Sequence, residues 1–106
     1  MKKNSKKNQE KFTKEAIKIF HDKVKNAELD KYIPNAYNIK SKYGDLYIRI
    51  DDKHNYCYSI FTKFDNPDLA KEKFDCNPYS GKYNFHINDI DWCLKQFSKF
   101  LDEVII

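Results

Sequence analysis

Apolar residues recur along this chain with two periods, and the switch between them outlines its elements. Phe12, Ala16, Ile19, Phe20, Val24 and Ala27 fall on one stripe at helical spacing. Lys14, Glu15, Lys18, Asp22 and Lys25 lie elsewhere on the wheel. The pattern predicts a helix from about Phe12 that stops near Leu29 to Lys31, ahead of Pro34, because proline disfavours helix in the residue before it. The period then drops to two. "AYNIKSK" sets Tyr37 and Ile39 against Asn38 and Lys40; "DLYIRID" sets Leu46, Ile48 and Ile50 against Tyr47, Arg49 and Asp51. "NYCYSIFTKF" places Tyr56, Tyr58, Ile60, Thr62 and Phe64 on one face, with Cys57, Ser59, Phe61 and Lys63 on the other. Alternation in β-branched and aromatic residues predicts strands. "KYGD" around Gly44 and "DDKHN" at 51–55 supply the turns between them, so an antiparallel meander is expected.

The second half repeats the two signals. In "DNPDLAKEKF", Asn66 suits an N-cap, Pro67 the first helical position and Asp68 the first turn, predicting a short helix over 67–74. "CNPYSGKYNFH" then connects helix to strand. Asn77, Pro78 and Gly81 carry turn chemistry, and "KYNFHI" alternates Tyr83, Phe85 and Ile87 with Lys82, Asn84 and His86. Asn88 is placed to cap a last helix whose stripe is Ile90, Cys93/Leu94, Phe97, Phe100/Leu101 and Val104. The order is α-β-β-β-α-β-α. It implies an α+β fold, a small antiparallel sheet of about four strands with the helices packed on one face. Residues 1–8 read as a flexible basic tail and 9–106 as a single α+β domain, the size expected of one unit at 106 residues.

Charge narrows the function classes. Residues 1–31 carry ten lysines against five carboxylates, whereas 32–106 carry ten Lys/Arg against eleven. A near-neutral body with a basic start excludes an acidic nucleic-acid mimic. It also gives little support to a strong phosphate binder, which needs clustered cations. Of the basic residues only Arg49 is arginine, and Asn, Ile and Tyr are abundant, the usage of an AT-rich genome. Mean hydropathy is −0.87, yet 16% of residues are aromatic, which points to a folded domain with a polar surface. The start "KKNSKKNQEKF" is too polar for a signal peptide, and no run reaches the ~18 apolar residues of a membrane span. With three widely spaced cysteines, Cys57, Cys76 and Cys93, a reducing cytoplasmic setting with free thiols is expected.

These bounds leave few candidates for site chemistry. Cys57, Cys76, His86 and Cys93 lack the ligand pairs two to four residues apart that zinc sites use. Cys76, Ser80 and His86 share a segment, but no nucleophile motif surrounds them. "YSGK" is not a phosphate loop. Asp45, Asp51, Asp52 and His54, or His86, could serve a small metal-dependent nuclease, although "DDKHN" is more simply a solvated hairpin loop. No catalytic residue, metal or cofactor is therefore assigned. Eight tyrosines exceed what a small core can bury with every hydroxyl satisfied, and Tyr and Arg anchor interfaces. Tyr47, Arg49, Phe61, Tyr79 and Lys82 are the candidate binding residues, for a protein partner. The same sheet face could stack bases, and the basic tail could add affinity for nucleic acid, so a small nucleic-acid-binding regulator is the alternative.

In size, composition and lack of a catalytic motif the chain resembles the small accessory proteins encoded by phages and mobile elements of AT-rich bacteria. "NPYSGKYNFH", followed by a capped terminal helix, is similar to segments of such proteins. Members with known roles often inhibit host defence, the anti-CRISPR proteins above all. The resemblance implies a single domain in the host cytoplasm that blocks a surface of a large effector, a protein or a protein–RNA complex, without chemistry.

Overall fold

A computed structural model describes residues 5–52, 58–71, 73, 82–84 and 89–106, with 51, 52 and 82–84 described by backbone alone. The elements are α1 (Lys6–Lys23), β1 (Glu28–Leu29), β2 (Ala36–Ser41), β3 (Gly44–Asp52), β4 (Ser59–Phe64), α2 (Pro67–Ala70), β5 (Lys82–Asn84) and α3 (Ile90–Val104). The strands form one antiparallel sheet in the order β1-β2-β3-β4-β5. This is the expected α+β meander, with a two-residue edge strand added ahead of it.

Strand alternation builds the core. Tyr37 and Ile39 of β2, Leu46, Ile48 and Ile50 of β3, and Ile60 and Phe64 of β4 are buried on one face, joined by Tyr58. Thr62, also fully buried, stands opposite Ile48 in the register. α1 contributes Phe12, Ala16 and Phe20 to the same cluster, and α3 contributes Cys93, Leu94, Phe97, Phe100, Leu101 and Val104. Helices on one face leave the other face of the meander to the outward residues of the same strands. The buried Cys93 thiol donates to the Tyr58 carbonyl at 3.7 Å, so it acts as a core residue.

Element ends differ from the pattern in instructive ways. α1 begins at Lys6, not near Phe12, because Ser5 caps it: its hydroxyl accepts from the Asn8 amide at 3.1 Å. Lys6, Lys7 and Asn8 are therefore helical, while residues 1–4 lie outside the described part. α1 ends at Lys23 and not at 29–31, with Val24 extended; Val24 stays buried and Ala27 packs on the core without helical backbone. α2 stops at Ala70, its one buried residue, and not at 74; a single turn has no apolar stripe to extend it. α3 is capped by Asp89 and not Asn88, with the carboxylate accepting from the Trp92 amide at 3.0 Å.

Two connections fix the sheet. Between β2 and β3, Lys42 and Tyr43 form the turn and Gly44 follows at φ 90°, the left-handed position that closes a hairpin of this length. The Ser41 hydroxyl accepts from the Tyr43 amide at 3.0 Å and donates to the Gly44 carbonyl at 2.7 Å. The Lys42 amide donates to the Val104 carbonyl at 2.8 Å, which ties the hairpin to the end of α3. Between β1 and β2, Asn35 takes φ 58°, a conformation asparagine tolerates. Its carbonyl accepts from the Ile50 amide at 2.9 Å, anchoring the loop to β3.

Candidate functional site

The residues that alternate with the core set form the outer face of the sheet. Asn38 and Lys40 of β2, Arg49 of β3 and Lys63 of β4 are exposed there, with Tyr47 and Phe61 half-buried between them. The register assembles them: Tyr47 stands between Asn38 and Lys63, and Arg49 between Ala36 and Phe61. The Tyr47 and Phe61 rings meet edge to face, with centroids 6.0 Å apart and planes at 73°. Such a pair buries part of each ring and keeps both in fixed orientation.

Of the five residues expected to bind, three are thus brought together: Tyr47, Arg49 and Phe61. Lys82 is opposite Lys63 in the β4–β5 register. Tyr79 lies outside the described residues, as do Cys57, Cys76, His54 and His86, and Asp51 and Asp52 are described by backbone only. Asn38, Lys63 and Asp65 were not singled out from sequence. The signal for the first two was the alternation itself, read outward instead of inward.

The electrostatics of the face are mixed. Lys40 pairs with the exposed Asp45 carboxylate, and that hydrogen bond, with the charges of Asp45, Glu28 and Asp65, holds the ammonium above its ordinary pKa. Partial burial pushes the Tyr47 phenol up, the negative charge of Asp30 adds to this, and Arg49 opposes it. A shallow open depression of about 170 Å³ is lined by Asn38, Asp45, Leu46, Tyr47, Lys63 and Asp65. Cations and carboxylates alternate around one aromatic pair, so the face has no single sign.

Beside it, the β1–β2 loop presents Tyr32 at 90% exposure. The Asp30 carboxylate accepts from the amides of Tyr32 at 2.8 Å and Ile33 at 2.9 Å. Those bonds hold Asp30 below the ordinary carboxylate pKa. Leu29 on the edge strand is 60% exposed. An aspartate ahead of a turn is the sequence signal for this loop.

Among the described residues no group of three or more His, Cys, Asp or Glu side chains is arranged to hold a metal ion. Nor is any helix among them long and apolar enough to cross a membrane. No protein-family model, curated protein or solved structure matches the chain. The class is therefore architectural: an α+β domain with two long helices on one side of a meander and a mixed-charge aromatic face on the other.

Proposed function

We propose that the chain is a non-enzymatic binding protein whose outer sheet face covers a surface of a larger partner, a protein or a protein–RNA complex. Its resemblance to phage and mobile-element accessory proteins gives the proposal its biological form: an inhibitor of a host defence effector in the bacterial cytoplasm, of the anti-CRISPR kind. One observation carries the reading. Tyr47 and Phe61 stack edge to face beside Arg49 on the sheet face opposite the helices. Aromatic rings and arginine in a semi-rigid setting are the groups that dominate protein interfaces. Carboxylates at Asp45 and Asp65 beside Lys40 and Lys63 suit a protein surface of mixed charge better than a phosphate backbone.

Expression in bacteria that each carry one nuclease-based defence system tests this. In at least one such strain the chain should restore plaque formation by a targeted phage. Tyr47→Ala combined with Arg49→Ala should lose that activity while the protein stays folded. Full protection of the host in every strain, or undiminished activity of the folded double variant, would overturn the reading.

A further inference from the structure

The sequence pattern assigns Lys6 and Lys7 to a tail, but the fold winds both into α1. α1 holds six lysines against Glu10, Glu15 and Asp22. Four of the six, Lys7, Lys11, Lys14 and Lys18, follow one another at spacings of four, three and four residues. At 100° per residue they lie within about 60° of one another. They occupy the side of α1 opposite Phe12, Ala16 and Phe20, which are buried, and all four are exposed. Among the described residues none of the four makes an ion pair, whereas Lys23 is bound to Asp102 at 2.7 Å. On α3, which packs against α1, the exposed Lys95 and Lys99 share the solvent side with Asp91, Asp102 and Glu103, so among the described residues the run of unpaired cations is confined to α1.

We propose that this lysine ridge binds the phosphodiester backbone of a nucleic acid, independently of base sequence. The argument is complementarity of charge and shape. Eleven helical rises, from Lys7 to Lys18, set the four ammonium groups along a line of about 16 Å. A strand lying beside it offers a phosphate every ~3.4 Å of its axis, so each lysine has an anion within reach. Lysine is a flexible point charge, suited to neutralising phosphates and not to the bidentate reading of base edges. A membrane surface fits poorly, because insertion of a basic helix needs a free apolar face and that of α1 is buried in the core. The ridge lies on the helical side of the sheet. Binding there is separate from the aromatic face, and a partner containing RNA can engage both.

The test is fluorescence anisotropy with the full chain and labelled oligonucleotides of roughly 20 nucleotides, one single-stranded and one duplex, between about 50 and about 200 mM salt. Four phosphate contacts give a slope of log affinity against log salt of about −2.8 for a single strand or about −3.6 for a duplex, a loss of about fifty- to 150-fold across that range. The tighter oligonucleotide identifies the form preferred. Lys11→Gln with Lys14→Gln should weaken binding and flatten the slope by half, about 1.4 for a single strand or about 1.8 for a duplex. Lys11→Arg with Lys14→Arg should retain both affinity and slope. All substituted positions are exposed, and far-ultraviolet circular dichroism checks that the variants fold. Lys7→Gln with Lys18→Gln provides a second pair should the first lose helix. The proposal is overturned by absence of saturable binding at the lower salt, by an unchanged slope in folded Lys→Gln variants, or by tighter binding to anionic phospholipid vesicles than to either oligonucleotide. None of these outcomes bears on the plaque assay, so the two readings fail separately.

Discussion

Phe61 and Phe64 lie three residues apart on β4 and face opposite sides of the sheet. Phe64 is fully buried, edge to face with Phe100 at 6.1 Å and with Tyr43 at 6.2 Å. Phe61 is half-buried and edge to face with Tyr47. One ring joins strand to helix through a closed core. The other, half-exposed, meets the Tyr47 ring among polar and charged groups. The same residue type therefore closes the core on one face and stays half-exposed on the other, and parity along the strand decides which.

The largest expected effect tests this contrast directly. Phe64→Ala should cost about 3–5 kcal/mol, since it removes a buried ring and leaves a cavity between β4 and α3. Phe61→Ala should cost about 1 kcal/mol, because solvent can fill the space left. Urea denaturation of the two variants measures the difference. Equal losses would mean that the outer face is packed and not open.

Next in size is the hairpin that sets the register of both faces. Gly44 sits at φ 90°, and a Cβ there would lie 3.5 Å from Leu69 Cδ1, an ordinary contact. The cost of Gly44→Ala is therefore backbone strain and not a clash, about 1–2 kcal/mol. Gly44→Asn should cost less, as asparagine visits this region more readily. Thermal melts of the pair separate the two causes, because a steric origin would make the larger asparagine worse.

A smaller effect on stability should accompany the larger effect on function. Tyr47→Ala, with its ring half-exposed, should change stability by about 1 kcal/mol or less. In the plaque assay, combined with Arg49→Ala, it should abolish activity. A loss of stability comparable with that of Phe64→Ala would instead place Tyr47 among the structural residues.

The inner face was legible because burial imposes a strict rule. Every second residue of Tyr37–Ile39, Leu46–Ile50 and Tyr58–Phe64 had to be apolar or paired, and the α3 stripe obeyed the same constraint at period 3.6. Where burial imposes nothing, the pattern was silent. Glu28 and Leu29 form a strand with both side chains exposed, so no alternation marks it. The start of α1 was hidden because Lys6 and Lys7 in a first turn oppose the helix dipole; only Ser5 signalled the cap. The lysine ridge was lost with it, since positions 7, 11, 14 and 18 form a line only once they are wound into one helix. The strands pair in sequence order, and only the β4–β5 pairing, which spans α2, had no local turn to signal it. Of the candidate site, Tyr47, Arg49 and Phe61 were readable from parity. Asp65 was not, because it lies past the end of β4 and reaches the face through a backbone bond to Asp45, 2.9 Å from amide to carbonyl.

The smallest effect concerns the loop that flanks the outer face, and its sign can be worked out. Asp30 is held below its ordinary value of 3.8 because its carboxylate accepts the amides of Tyr32 and Ile33. A carboxyl with a lowered folded pKa favours the folded state above its unfolded pKa, and that contribution disappears as pH falls through the folded value. Wild type should therefore be slightly more stable than Asp30→Asn at neutral pH. Asparagine keeps an oxygen acceptor at the turn but no charge, so the comparison isolates the ionised form. The difference between the two melting temperatures should stay constant from pH 8 down to about 5 and close only below about 4. Amide exchange should follow the same course locally, with Tyr32 and Ile33 losing protection in acid while Ile48 and Ile60 in the core do not. A gap that closed near pH 6 would point to a different titrating group. A gap that never appeared would show that the two amide bonds do not depend on the charge, and that the Asp30–Ala36 and Asn35–Ile50 backbone bonds suffice to set the loop.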